Sequence, residues 1–132
     1  MVLEDKKIRV LLTKSRIDGH DRGVRYLATK LREAGMEIIF TRYETSEDIV
    51  NSAMQEDVDA IGISFSVGGH TVVTSEVMEL IKKKDMEDIL VITGGIIPEE
   101  DVPDLLGLGV GKTFGPGSYA DDIINFITSS VK

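Results

Sequence analysis

Two hydrophobic patterns alternate along the chain. Short runs rich in aliphatic and β-branched residues predict buried strands, and longer segments with an apolar residue every three or four positions predict amphipathic helices. The predicted strands cover residues 8–12, 36–40, 60–64, 89–93 and 110–114. The fifth is interrupted by Gly111.

A predicted helix follows each strand. The first begins at Asp21 and ends at Gly35, and the second is capped by Thr45 or Ser46. The third carries apolar residues between positions 73 and 81, and the last covers 120–131. A short fourth helix covers 98–106 and opens with a proline, a residue that suits the first turn.

Five strand–helix units in series predict an α/β fold, with one parallel sheet and helices on both faces. The flavodoxin-like strand order 2-1-3-4-5, a Rossmann-like arrangement, is the common solution at this size. In this order a ligand crevice opens between strands one and three, at the carboxyl ends of the strands.

The glycines are distributed unevenly around this predicted crevice. Eight of the thirteen follow strands one, three, four or five, whereas the loop at 41–45 after strand two has none. Small residues therefore cluster where a ligand would come close to the backbone. The simpler alternative is that glycine only marks the turns. The eight are Gly19, Gly23, Gly68, Gly69, Gly94, Gly95, Gly115 and Gly117.

Composition narrows the class of protein. The 132 residues, 42% hydrophobic and 29% charged, predict one globular domain over 1–132 with a flexible N-terminus at 1–6. The net charge of −8 argues against a nucleic-acid partner, and no apolar run is long enough to predict a membrane span. With no cysteine there is no disulfide or thiolate ligand, and we expect a cytoplasmic protein.

The candidate chemistry lies in the six residues Asp18-Gly19-His20-Asp21-Arg22-Gly23. They place a histidine in the loop after the first strand, with a carboxylate two residues before it. An imidazole oriented by an acid is how a protein presents a nitrogen ligand to a metal. The alternatives are an ordinary surface histidine and an aspartate at position 18 that caps the following helix.

Three motifs together resemble a known family. They are Asp18-x-His20-x-x-Gly23, Ser64-x-Ser66 at the end of strand three, and Gly94-Gly95 at the end of strand four. This pattern, with 94–98 and 114–117, is similar to the cobalamin-binding domain of base-off/His-on corrinoid proteins, above all methylmalonyl-CoA mutase and related acyl-CoA mutases. The family pattern has leucine where this chain has Ser66, which replaces an apolar contact to the nucleotide tail with a hydroxyl.

The resemblance implies how the cofactor would be held. His20 would ligate cobalt, Asp18 would accept the proton of the other ring nitrogen, and Lys14 would orient Asp18. The detached lower base would enter a narrow slot beside the sheet, where Ser64 would contact it. The resemblance also places the following residues around the cofactor: Gly19, Asp21, Arg22, Gly23, Gly62, Ser66, Gly68, Gly69, Gly94, Gly95, Phe114, Gly115 and Ser118.

Two further side chains have open roles. Phe114 either packs in the core or lies near the nucleotide tail. His70, the second of the two histidines, is expected to begin the third helix and to cap it or face solvent, with a contact to the corrin edge as the alternative.

The resemblance also implies an activity. The chain would be the small, adenosylcobalamin-carrying subunit of an acyl-CoA mutase, with methylmalonyl-CoA mutase as the first expectation. That enzyme interconverts (R)-methylmalonyl-CoA and succinyl-CoA by a radical 1,2-rearrangement. The acyl-CoA would bind to a TIM-barrel partner of about 250 residues, which this chain does not encode. We therefore expect no catalytic residue and no activity in this chain alone.

Other functions are weighed against this one. A corrinoid carrier for methyl transfer uses the same ligand motif but usually has a helical module before it, which we do not expect here because the first predicted strand starts at residue 8. The small subunit of glutamate mutase is the nearest rival among the mutases. A phosphoacceptor receiver needs a carboxylate at the end of strand three, where this chain has Ser64, and an FMN domain would want more aromatic stacking faces.

Overall fold

The computed structural model describes residues 7–66, 68–115 and 117–131, so the N-terminus expected to be flexible lies outside the described residues. One five-stranded parallel sheet has the order β2-β1-β3-β4-β5, which confirms the predicted topology. The strands are β1 (Arg9–Ser15), β2 (Glu37–Tyr43), β3 (Ala60–Phe65), β4 (Leu90–Gly95) and β5 (Lys112–Phe114).

Five helices connect and follow the strands. They are α1 (Arg22–Glu33), α2 (Ser46–Gln55), α3 (His70–Lys83), α4 (Val102–Gly107) and α5 (Ala120–Ser130). The predicted fourth helix is divided, because a 3-10 turn at Glu99–Asp101 precedes α4. The cap of α2 is Thr45, whose side chain accepts a hydrogen bond from the backbone of Asp48 in a capping box.

The strand ends differ from the predicted ones. β1 and β2 each continue three residues further than predicted. In β1, Thr13 and Lys14 are polar but fully buried, so the hydrophobic pattern does not show that the strand continues. β5 is shorter than predicted. Gly111 stays outside it and donates its N–H to the carbonyl of Val91 instead.

Alternation along the strands divides the core between the two faces of the sheet. On one face Leu11 and Ile61 pack with α2, α3 and α4, and on the other Val10 and Leu12 pack with α1 and α5. Helices thus cover both faces, as predicted. No helix in the described part of the chain is long and apolar enough to cross a membrane.

The register brings five residues into one row across the sheet near its carboxyl edge. Lys14 of β1 pairs with Arg42 of β2 on one side and with Ser64 of β3 on the other. Ser64 pairs with Gly94 of β4, which pairs with Phe114 of β5. Residues at the same register of neighbouring parallel strands point to the same face, so this row forms a continuous edge beside α1 and α5.

Candidate functional site

A cavity of about 670 Å³ opens at the carboxyl edge, on the face of the sheet covered by α1 and α5. Its floor contains Leu12, Gly62 and Ile92, which are register partners on three adjacent strands. A Cβ at Gly62 would lie 2.8 Å from Leu12 Cδ2. The bare backbone at this position therefore lets the two aliphatic neighbours close the floor.

Most of the residues predicted around a cofactor lie together in the wall of this cavity. Gly68 and Gly69 do not line it. Their φ angles of 89° and 78° place both in the left-handed region just before α3, so the backbone of the turn accounts for this glycine pair. The predicted residues that line the cavity are Gly19, His20, Asp21, Arg22, Gly23, Gly62, Ser64, Ser66, Gly94, Gly95, Phe114, Gly115 and Ser118.

Sequence reasoning missed the apolar side walls of the cavity. Val24 and Leu27 of α1 and Ala120 and Ile123 of α5 form them, and the signal was the helical spacing that the sequence interpretation assigned to the core alone. Tyr26 and Ile96 also line the cavity, but both are more than half exposed and no such pattern indicated them.

His20 lies at the cavity with 70% of its side chain exposed. Its ring Nδ1 is 2.8 Å from Asp18 Oδ1, and its backbone N–H donates to the same oxygen at 2.8 Å. An ionised carboxylate only accepts hydrogen bonds, so Nδ1 is the donor, and in the neutral imidazole this tautomer leaves the lone pair on Nε2. Nε2 has no hydrogen-bond partner among the residues described here, which leaves it free to ligate a metal.

Asp18 is 1% exposed, and its ionised form is stabilised within the loop. Burial raises the pKa of this carboxyl, but hydrogen bonds from the backbone and ring of His20 and the charge of Lys14 outweigh burial and leave the pKa below 3.8. The Ser66 hydroxyl lowers the pKa further. Since Asp21, not Asp18, holds the cap position of α1, the capping alternative for Asp18 is wrong.

Lys14 has no exposed surface and faces two carboxylates. Its Nζ donates to Asp21 Oδ1 at 2.6 Å and lies 3.6 Å from Asp18 Oδ1. The other oxygen of Asp21 accepts from Arg42, so that one carboxylate bridges two cations on neighbouring strands. The lysine is therefore near Asp18 as expected, but in this structure its hydrogen bond goes to Asp21.

His70 is mostly enclosed instead of facing solvent, and Gly69, not His70, holds the cap position of α3, so both of these expected roles were wrong. It begins α3, its side chain is 14% exposed, and its Nε2 lies 2.8 Å from Asp101 Oδ2. Its ring packs edge-on against Phe65, with centroids 6.1 Å apart. The pair joins the start of α3 to the 3-10 turn after β4 and does not line the cavity.

Phe114 packs in the core at 7% exposure, one of its two expected roles, and it also lines the cavity. Its ring meets Phe126 of α5 edge-on, with centroids 6.0 Å apart. Phe114 therefore forms the boundary of the cavity beside β5, and its expected position near the nucleotide tail stays a prediction.

A family model described as B12 binding domain matches residues 8–124 of this chain. The chain is 41% identical over 125 residues to the pivalyl-CoA mutase small subunit of Xanthobacter autotrophicus, covering 94% of this chain and 84% of that one. It is 39% identical over 130 residues to the 2-hydroxyisobutanoyl-CoA mutase small subunit of Aquincola tertiaricarbonis, covering 98% and 96%.

A longer relative matches over a small part of its length. The chain is 37% identical over 116 residues to the methylmalonyl-CoA mutase of Cereibacter sphaeroides, covering 87% of this chain but 16% of that protein. Among solved structures, a cobalamin-binding protein from Desulfitobacterium hafniense DCB-2 has a TM-score of 0.79 at 20% identity, covering 96% of this chain and 60% of that one. At this identity the likeness concerns the fold.

Proposed function

The chain belongs to the B12-binding domain family, and from this membership we propose that it is the cobalamin-carrying small subunit of an acyl-CoA mutase. The observation that carries the proposal is the pairing of His20 with the buried Asp18 at the mouth of a deep cavity. A family match alone would leave the binding mode open. The pairing adds an imidazole whose second nitrogen is free to ligate a metal.

The cavity fits a detached nucleotide tail. Its floor and side walls are apolar, and the added Cβ at Gly19, Gly23 or Gly115 would meet no atom within 4 Å. These backbone segments face open space, so an elongated group of the size of a substituted benzimidazole could lie against them. Ser64 lines the same space and offers one hydroxyl to a ring nitrogen.

The residues of this chain would hold and tune the metal. His20 would ligate the metal through Nε2, while Asp18 accepts a hydrogen bond from Nδ1 and fixes the tautomer. Since the pKa of Asp18 is low, the carboxylate stays ionised and strengthens the donor character of the imidazole. In its adenosyl form the cofactor would supply homolytic cleavage of a cobalt–carbon bond, the hard step of the radical chemistry.

A larger partner follows from the same proposal. Two relatives of matching length are named small subunits, and the methylmalonyl-CoA mutase relative carries the similar region in 16% of its length. We infer that a second subunit, with a TIM barrel, binds the acyl-CoA and closes over the carboxyl edge. This chain would then bind cofactor alone and turn over substrate only with that subunit.

The partner subunit, which would bind the acyl-CoA, would also determine the substrate. The sequence pattern favours methylmalonyl-CoA, whereas the two small-subunit relatives are named for pivalyl-CoA and 2-hydroxyisobutanoyl-CoA. All three are short branched acyl-CoA thioesters, so we propose a substrate of this class. An assay with the matching large subunit and each of the three thioesters distinguishes them.

Titration of the purified chain with cob(II)alamin tests the ligation. Electron spin resonance should show the dimethylbenzimidazole released and one protein nitrogen coupled to cobalt, and 15N labelling of histidine should change that splitting. His20→Ala should lose the coupling, while His70→Ala, which removes the other histidine, should keep it. Retention of the base-on spectrum in the wild-type chain would refute the proposal.

A further inference from the structure

The carboxylate of Asp21 bridges two cations that the sheet places side by side. Lys14 and Arg42 are register partners on β1 and β2, and Asp21 accepts from Lys14 through Oδ1 and from Arg42 through Oδ2. Arg25 Nε lies 3.4 Å from the same Oδ2. These contacts hold the pKa of Asp21 far below its ordinary value of 3.8, with the hydrogen bond from Arg42 as the largest cause.

Lys14 donates a hydrogen bond to one of the two carboxylates that it faces. Its Nζ is 2.6 Å from Asp21 and 3.6 Å from Asp18, although Asp18 is the more deeply buried of the two acids. Asp18 Oδ1 therefore accepts its hydrogen bonds from His20, whose backbone N–H and ring Nδ1 both lie 2.8 Å from it. A full ion pair with Lys14 would weaken the hydrogen bond to the imidazole, because one carboxylate would be shared with a stronger donor.

Arg42 fixes the carboxylate of Asp21 in this position. One guanidinium nitrogen meets Asp21 and another lies 3.4 Å from the backbone carbonyl of Asp18. The guanidinium also stacks over the ring of Phe40, 5.5 Å from its centroid. Arg42 therefore connects Asp18 and Asp21, which lie on either side of His20 in the loop, to β2.

We propose that Asp21, anchored by Arg42, is a positioning residue that holds Lys14 away from Asp18 and so sets how strongly Asp18 accepts the His20 hydrogen bond. The inference rests on the proposed ligation of cobalt by His20. It adds a second carboxylate and an arginine to the simple chain of lysine, aspartate and histidine that the sequence predicted.

Asp21→Asn is the direct test, since it keeps the size of the side chain and removes its charge. In this variant Lys14 should turn to Asp18. The side-chain nitrogen resonance of Lys14 and the Nδ1 resonance of His20 should both shift in the cofactor-free protein. Cob(II)alamin should bind about 10-fold more weakly with a smaller splitting from the ring nitrogen, the range usual for a lost outer-shell partner.

Matched variants separate positioning from general stability. Asp121→Asn removes an exposed carboxylate from the first turn of α5 and should leave both resonances, the affinity and the splitting unchanged. Asp21→Glu restores the charge and should recover part of the affinity. Since Asp21 makes no side-chain cap bond to α1, Asp21→Asn should keep the helix. Arg42→Gln, in which Asp21 stays charged, should act in the same direction with a smaller effect.

The outcomes are distinguishable from failure of the proposed function. If the wild-type chain shows no histidine nitrogen on cobalt, the proposed ligation is wrong. The resonances of Lys14 and His20 in the cofactor-free protein would still show whether Lys14 moves to Asp18 in Asp21→Asn. If Asp21→Asn matches Asp121→Asn in those resonances and in the splitting, Asp21 has no positioning role and the inference is overturned.

Discussion

The backbone of Phe65 occupies the space that a side chain at Gly95 would need. The two residues are register partners on β3 and β4, and the φ of Gly95 is 100°. A Cβ built on Gly95 would overlap the carbonyl oxygen of Phe65, which also accepts the N–H of Ile96 at 2.7 Å. The backbone therefore requires glycine at this position before any ligand is considered.

Gly95→Ala should destabilise the fold strongly. The left-handed conformation costs a non-glycine residue about 1–2 kcal/mol, and the overlap with a backbone carbonyl adds to this. We expect a loss of at least about 2 kcal/mol in the free energy of unfolding, measured by urea denaturation. An unfolding midpoint equal to that of wild type would contradict this prediction, because the end of β4 would then accommodate the added methyl group without cost.

Gly23→Leu, unlike Gly95→Ala, should keep the stability of the fold but lose cobalamin binding. Gly23 lies in the first turn of α1, lines the cavity and has no atom within 4 Å of an added Cβ. Leucine favours a helix over glycine by up to about 1 kcal/mol, so stability should be kept or raised. The side chain would occupy the proposed tail slot, and cobalamin binding should be lost.

A second helical glycine provides the control for this variant. Gly107 ends α4, is exposed, also has open space around an added Cβ and does not line the cavity. Gly107→Leu should keep full cobalamin affinity in the same titration. Equal affinity of Gly23→Leu and Gly107→Leu would mean that the cavity beside α1 does not hold the cofactor.

These glycines show what the sequence could predict and what it could not. The Gly94-Gly95 pair was predicted beside the crevice, because a motif and a strand end coincide in the sequence, and both glycines line the cavity. The reason for Gly95 was hidden, since its constraint comes from a residue thirty positions earlier, on a neighbouring strand. The His70–Asp101 pair was missed for the same reason, because no local pattern reports a partner that only the turn after β4 brings near.

The sheet register explains the remaining difference at the site. Sequence spacing placed Lys14 with Asp18, four residues away, and the two are indeed close. It could not place Arg42 beside Lys14, because that neighbour depends on the pairing of β1 with β2. The order of strands was predictable from the alternation of patterns, whereas charge pairing across strands required the structure.

Lys14→Met should be among the most destabilising substitutions of a polar residue. The lysine is fully buried, and its removal takes a hydrogen bond from Asp21 and leaves Asp18, 1% exposed, without its nearest buried cation. Loss of one partner from a buried pair costs about 3–5 kcal/mol, and we expect about 3 kcal/mol because His20 still donates to the carboxylate. Urea denaturation measures the loss.

The double variant Lys14→Met/Asp18→Asn completes the cycle. Removing the second charge should recover a large part of the lost stability, since no uncompensated carboxylate stays buried. Arg16→Met, which breaks an exposed pair with Glu44, is the control and should change stability by less than about 1 kcal/mol. Additive effects at positions 14 and 18 would contradict a buried electrostatic coupling between them.

The capping box of α2 should make part of the stability depend on pH. Asp48 accepts hydrogen bonds from the backbone of Glu44 and Thr45, and these hold its pKa below the ordinary value of 3.8. A carboxyl whose pKa falls on folding stabilises the protein above its unfolded pKa, and this contribution is lost as the pH falls through the folded value. Wild type should therefore exceed Asp48→Ala at neutral pH and converge with it in acid.

Urea denaturation from neutral pH to pH values below 3.8 checks this expectation. Thr45→Ala, which removes the other side chain of the box, should lower the free energy of unfolding by about 1 kcal/mol. Much of that loss should persist in acid, because the threonine hydroxyl does not titrate and still caps the helix there. A stability difference between wild type and Asp48→Ala that is constant with pH would contradict the role of the ionised carboxylate.

Ser66 is where this chain departs from the family pattern. Its hydroxyl is the smallest of the causes that lower the pKa of Asp18, whose Oδ2 is buried without a hydrogen-bond partner among the described residues, and Ser66 also lines the cavity. Ser66→Ala should raise the pKa of Asp18, followed through the carboxyl 13C resonance. Ser118→Ala is the control, because Ser118 lines the same cavity but donates to the carbonyl of Gly115. A pKa of Asp18 equal in both variants would assign Ser66 to the nucleotide tail alone, and Ser66→Leu would then tighten cobalamin binding by restoring the apolar contact.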